Sequence, residues 1–284
     1  MHPSTIQLLR LHFSLFLLPV YLFALSQLPQ VEWGTAILVF FILHGLVYPA
    51  SNGYNSYMDR DSSPIGGLEK PLQPTRQLFY VSVGMDAVAI LASFFVSLPF
   101  VTGIIVYILA SRAYSYRGIR LKRFPVAGFL TVFIFQGALI FFITYHGCHP
   151  QQSVDVPLLP MILSSLLIGA LYPLTQVYQH EEDIADGVTT ISYQLGKRGT
   201  FLFSMLQFVA ATVLFFFMFR RQEALNLWWI YLVMLLPAVG FFLAWMAKVW
   251  REETAADFKH SFRMNLLATL CTTAYFITLN LIKH

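Results

Sequence analysis

The chain has 284 residues, of which 57% are hydrophobic and only 11% charged, with a formal net charge of +4. Soluble domains carry about 25% charged residues, so this composition excludes a soluble globular protein and places the chain in the lipid bilayer. Two cysteines, Cys148 and Cys271, are too few for a disulfide framework. No nucleic-acid partner is expected.

A bilayer core about 30 Å thick takes roughly 20 apolar residues of helix. Nine runs in the sequence meet or approach this: Leu11–Leu28, Trp33–Tyr57, Leu78–Leu98, Phe100–Tyr116, Val126–Thr144, Val156–Tyr178, Phe201–Phe219, Leu227–Val249 and Met264–Ile282. The third and fourth are divided only by Leu98-Pro99. The first has no clear cleavage site and reads as a retained span. Lipid offers no partner to open backbone groups, so helices are the element. The expected fold is all-α, a polytopic bundle of about nine transmembrane helices forming one unit over residues 1–284. Its two halves divide near residues 1–123 and 124–284 as a parallel internal repeat.

Polar loops follow the second, fourth, sixth and eighth runs. These loops and the N-terminus hold 15 of the 18 Lys and Arg residues, leaving only Arg220, Arg221 and Lys283 on the other side. The positive-inside rule places the N-terminus and these loops in the cytoplasm and the C-terminus outside. A bacterial inner membrane is the expected location.

The repeat rests on two stretches. Gly45–Asp59 reads GLVYPASNGYNSYMD, and Gly169–Asp183 reads GALYPLTQVYQHEED. In register, Tyr48-Pro49 meets Tyr172-Pro173, Asn52 meets Gln176, Tyr54 meets Tyr178, Asn55 meets Gln179 and Asp59 meets Asp183. Each copy ends an apolar run with an amide four residues before a carboxylate. Residues i and i+4 share a helix face, so Asn55 projects with Asp59, and Gln179 with Asp183. Asp61, Glu181, Glu182 and Asp186 lie nearby. Hard oxygen donors of this kind suit Mg²⁺, which is typically held by one or two carboxylates plus phosphate oxygens. Two such clusters at one membrane face match a metal-bound diphosphate. The candidate metal ligands are Asn55, Asp59, Asp61, Gln179, Glu182 and Asp183, with Asp59, Asp183 and Asn55 central to catalysis. The loop YSYRGIRLKR (114–123) supplies counter-charge from Arg117, Arg120, Lys122 and Arg123 on the same side. Both features also have plainer readings, as helix ends meeting water and as a basic anchor on anionic lipid.

These motifs resemble the UbiA superfamily of intramembrane prenyltransferases. That family carries N-D-x-x-D-x-x-x-D after its second helix; here Asn55, Asp59 and Arg60 match, while Ser56 and Ser63 replace aspartates. Its second motif, D-x-x-x-D-x-x-x-G, is matched by Asp183 and Gly187, with Thr190-Ile191 following and Gln179 replacing the first aspartate. Tyr114-Ser115 with Arg120-Leu121-Lys122-Arg123, and Lys70-Pro71, resemble two further family segments. The resemblance implies Mg²⁺-dependent transfer of an isoprenyl group from an isoprenyl diphosphate to a hydrophobic or aromatic acceptor, such as a quinone precursor. It implies diphosphate contacts from Arg60, Lys70, Arg117, Arg120, Lys122 and Lys197. Tyr48, Tyr54, Tyr172 and Tyr178 would face the allylic cation or pack as an interfacial aromatic belt.

Asp86 lies inside the third run, roughly 13 Å below the polar loop at 1.5 Å per residue. A carboxylate at that depth marks function or a buried partner; it joins the substrate pocket or makes a structural hydrogen bond. Two other functions compete. A terpene cyclase on the same scaffold would need no acceptor. A transporter would bind near the midplane, whereas these acids gather at one face. His146, Cys148 and His149 have metal-ligand chemistry but lack a fourth ligand.

Overall fold

A computed structural model describes residues 1–284. Eight helices are long and apolar enough to cross a membrane: α1 (Pro3–Ser26), α2 (Trp33–Asp59), α4 (Leu98–Ser115), α5 (Pro125–Cys148), α6 (Leu158–Thr175), α8 (Ile191–Arg221), α9 (Leu225–Arg251) and α10 (Phe258–Lys283). Two more helices complete the set. α3 (Arg76–Ser93) is packed between α2 and α4, and the short α7 (His180–Ala185) follows α6. α3 answers the third predicted span; its Asp86, Arg76 and small residues make it less apolar than the others. Leu98-Pro99 divides α3 from α4 by starting the new helix, with Ser97 as N-cap accepting from the Phe100 N–H at 3.1 Å. Successive helices pack as neighbours, and α10 closes the bundle against α1.

The largest part of the core lies toward one end of the bundle. Its main cluster joins Phe23, Phe100, Phe141, Phe215, Tyr231 and Phe276. These residues come from the ends of their helices remote from the two motifs. The rings meet edge-on or stacked, with centroids 4.8 Å apart for Phe23 and Phe276 and 5.3 Å for Phe23 and Phe141. At the motif end a second cluster, with Phe201, Phe242, Trp245 and Met264, packs α8, α9 and α10, and a cavity lies among α1, α2, α4, α5 and α6.

Irregular backbone accompanies the cavity. Pro49 has no N–H to offer the Gly45 carbonyl, and the helix widens into a π turn over Phe41–Val47 just before it. A second π turn, Phe133–Leu139, forms where the Ala138 N–H donates to Ser165 Oγ at 3.0 Å. Pro173 has the larger effect. The run Val156–Tyr178 was expected as one helix, but α6 tightens to a 3₁₀ turn over Tyr172–Thr175, and α7 begins anew at His180. The Gly169 carbonyl, which Pro173 cannot serve, instead accepts from Gln207 Nε2 on α8 at 2.7 Å. Replacing this buried glutamine, Gln207→Leu, strands that carbonyl at a cost of about 1–3 kcal/mol. A thermal melt of the detergent-solubilised variant is expected to fall by several degrees.

Candidate active site

The two motif copies reach the same place by different routes. The first stays helical to its end, so Asn55 and Asp59 leave α2 on one face. The second is broken, yet the Asp183 N–H still donates to the Gln179 carbonyl at 2.8 Å, which keeps both residues on one helical turn. Asp59 is buried. Its carboxylate meets Lys122 Nζ at 2.6 Å and Arg120 Nη2 at 3.5 Å. Arg120 also pairs with Asp186 and donates to the Asp186 carbonyl at 2.9 Å, which ties the loop after α4 to the end of α7. Burial opposes ionisation of Asp186, but Arg120 and then Arg117 hold its carboxyl below the ordinary value.

Three arginines around the site, Arg10, Arg60 and Arg120, adopt left-handed backbone at φ of 46°, 57° and 52°. This conformation is costly for a residue with a Cβ. Arg60 uses it to cap α2. Arg10 is anchored by its side chain, which donates to the Gly66 carbonyl at 2.9 Å and the Asn52 carbonyl at 3.3 Å. Its Nε has no partner.

Beneath these groups lies a cavity of about 250 Å³. Asn55, Asp59, Asp61, Gln179, Asp183, Lys122 and Arg10 line it near the motif face, and Tyr48, Tyr107, Tyr114 and Tyr172 form much of its wall. Burial raises two of these carboxyls, with neighbouring acids adding to it. Burial pushes the Asp183 carboxyl up to about 7, against the pull of Lys122 and with the help of Asp61, Asp59 and Glu182. Burial, then Asp59, pushes Asp61 up to about 6. Such a cluster favours a cation. No three His, Cys, Asp or Glu side chains close on a single point. A metal here would therefore complete its shell with ligand oxygens or water, as Mg²⁺ does.

The other sequence-derived candidates, Gln179 excepted, lie outside the cavity wall. Glu182 Oε1 accepts from the Ser62 and Ser63 N–H groups at 3.3 and 3.4 Å, pinning the loop after α2. Gln179 Nε2 holds the same loop through the Pro64 carbonyl at 3.1 Å. Arg60 is exposed beside the Tyr57 ring, and Lys70 is exposed on the loop. Arg117 donates to the Met58 carbonyl at 2.8 Å. Lys197 reaches the Glu253 carbonyl at 3.3 Å, away from the cavity. Asp86 pairs with Arg112, whose guanidinium lies 3.9 Å over the Tyr54 ring. Tyr178 packs edge-on against Phe258. His146 is hydrogen-bonded to Ser97 and Ser153 rather than gathered with Cys148 and His149.

Arg10 is not among the sequence-derived site residues: an arginine at the start of an apolar span ordinarily reads as an interfacial charge. Sequence reasoning also leaves Asn52 and Gln176 without a role, although the repeat aligns them with each other. Both line the cavity, and Gln176 Oε1 is buried without a partner.

Fold and site together define an intramembrane helical enzyme with an acidic, cation-seeking mouth over a tyrosine-walled chamber. The chain belongs to the UbiA prenyltransferase family, whose family model matches residues 15–267, and it is a prenyltransferase. Among solved structures it is similar to a UbiA homologue from Archaeoglobus fulgidus bound to DMAPP and Mg²⁺, at 16% identity and TM-score 0.69, with 98% of this chain and 99% of that one covered. A UbiA homologue from Aeropyrum pernix K1 shares 20% identity at TM-score 0.68, with 95% and 98% covered. A digeranylgeranylglyceryl phosphate synthase shares 15% identity at TM-score 0.61, with 98% and 96% covered. No curated protein matches the chain.

Proposed function

We propose that this enzyme binds an isoprenyl diphosphate with its diphosphate at the acidic mouth and its tail in the chamber, and transfers the isoprenyl group to an aromatic or quinone-precursor acceptor. One observation carries the reading. Asp59, Asp61 and Asp183 meet Lys122 and Arg10 at the mouth of a cavity that the main core closes at its far end. The A. fulgidus homologue that binds GPP and Mg²⁺ supports it by analogy of fold. The residues fit Mg²⁺: the donors are all oxygens, and two carboxyls are pushed up. Asp59, Asp61 and Asp183, with Asn55 and Gln179, would hold it. When bound, the metal supplies positive charge to the departing diphosphate.

The chain's own residues do the rest. Lys122 and Arg10 donate to diphosphate oxygens. The allylic C–O bond breaks and diphosphate leaves with the electron pair. The freed carbon bonds to the acceptor, which gives up one proton, so the products are prenylated acceptor and hydrogen diphosphate. The rings of Tyr48 and Tyr172 face the developing cation, an interaction worth about 0.5–2 kcal/mol each. The positive-inside bias supports a cytoplasmic mouth.

The test is purified protein with Mg²⁺, isoprenyl diphosphates of graded length and extracted lipid as acceptor, read by mass spectrometry. Prenylated acceptor with released diphosphate is expected. Hydrocarbon or alcohol made without acceptor would reassign the reaction as cyclisation, and turnover without metal would overturn the reading. The acidic cluster adds a pH dependence. A carboxyl held near 7 must lose its proton to ligate a cation. Half-saturating Mg²⁺ should therefore fall as pH rises from about 5.5 to about 8 and flatten above. Metal titrations at fixed donor concentration measure it.

A further inference from the structure

The inner part of the chamber is polar in a way that an isoprenyl tail does not require. Ser51 on α2 and Ser111 on α4 share a hydrogen bond of 2.5 Å at the cavity wall. Tyr107 and Gln136 line the cavity beside them, and Gln136 stands on the π turn of α5. Tyr48 and Gln176 are 2% and 6% exposed, and each presents a polar atom, Tyr48 Oη and Gln176 Oε1, that meets no partner in the protein. At 1.5 Å per residue, Ser51 and Tyr48 lie roughly 12–17 Å along α2 from Asp59. Polar atoms at that depth without a partner are costly, and an apolar chain would leave them unpaired.

This array is also uncharged. The cavity's cations and carboxylates stand at the mouth. Arg112, next in sequence to Ser111, does not line the cavity; its Nη2 is paired with Asp86 and its guanidinium lies over the Tyr54 ring, while its Nη1 is buried without a partner. An anionic group brought to this depth would find donors but no counter-ion.

Resting on the transfer reading above, we infer that Tyr48 and Gln176, with Ser51, Ser111, Tyr107 and Gln136 around them, seat the acceptor, and that they select an uncharged hydroxyarene over one bearing a carboxylate. Tyr48 and Tyr107, with ring centroids 6.0 Å apart and edge-on, present aromatic faces to such a ring. Their partners would be its hydroxyl groups.

The experiment reads acceptor binding independently of turnover. Protein in nanodiscs with Mg²⁺ is titrated calorimetrically with a neutral dihydroxybenzene and with the matching dihydroxybenzoate. The neutral arene should bind saturably and at least roughly 100-fold more tightly, as expected for an unpaired charge in the membrane interior. Gln136→Leu should weaken the neutral arene roughly tenfold or more while donor binding and thermal stability stay unchanged. Equal or tighter binding of the benzoate, no saturable binding of the neutral arene, or an unaltered affinity in both Gln136→Leu and Ser111→Ala would overturn the inference. Selective binding of the neutral arene without prenyl transfer would leave the inference standing and remove the transfer reading instead.

Discussion

Asp183→Asn is expected to cut turnover by at least about 10³-fold while leaving the protein as stable as the parent, or more so. The substitution removes a charge that the proposed metal requires, and loss of such electrostatic stabilisation commonly costs this much. The stability side follows from the sign of the shift. Asp183 is held up to about 7 in the folded protein, against an ordinary carboxylate value of 3.8. A raised carboxyl contributes stability below its unfolded value, and that contribution is lost as pH rises through the folded one. Near neutral pH and without metal, the ionised group therefore destabilises the fold, and an amide of the same shape relieves this. Thermal melts without Mg²⁺ at pH 6 and pH 8 test it. The parent should melt lower at pH 8, and the variant should not share that drop through this site. Full activity in Asp183→Asn would remove the residue from the site.

Asp59→Asn should lose both activity and stability. Its carboxylate is the counter-ion of Lys122 at 2.6 Å and a second partner of Arg120, and all three groups are largely buried. Removing one member of a buried pair strands the other charge at a cost of about 3–5 kcal/mol. Arg120 keeps Asp186, so the loss falls mainly on Lys122. Combining Asp59→Asn with Lys122→Met should recover much of the stability and none of the turnover. Comparing melting temperature with diphosphate release across the parent, both single variants and the double variant separates the roles. Recovery of turnover in the double variant would show that the pair is structural only.

The contrast between these two aspartates was not legible in the sequence, where they occupy equivalent places in a repeated motif. What the sequence carried well was position along the bundle. Long uncharged runs mark the spans, and the Tyr-Pro pairs mark where the two important helices end. Charge partnership was harder to read, because it depends on which loop folds over which helix end. The stretch YSYRGIRLKR announces a basic cluster, yet only Lys122 of its four cations lines the cavity. Arg120 is behind Asp59, and Arg117 is on the outer side of the loop. Glu182 appeared as one more acid, but its carboxylate is turned to the Ser62 and Ser63 amides. Pro173 is as plain in the sequence as Pro49. One breaks its helix and the other only widens it, and in the broken one the freed Gly169 carbonyl is taken by Gln207, a residue on another span.

The placement of the core has a consequence for the membrane around it. Aromatic rings fill the bundle remote from the motifs, while the cavity is lined from the motif side. On the proposed reading, a lipid-soluble donor would arrive, and a lipid-soluble product would depart, through the leaflet on the motif side. Catalysis would then be sided: the enzyme would draw on one monolayer's pool and return product to it. Supply to the other monolayer would depend on how fast the product flips.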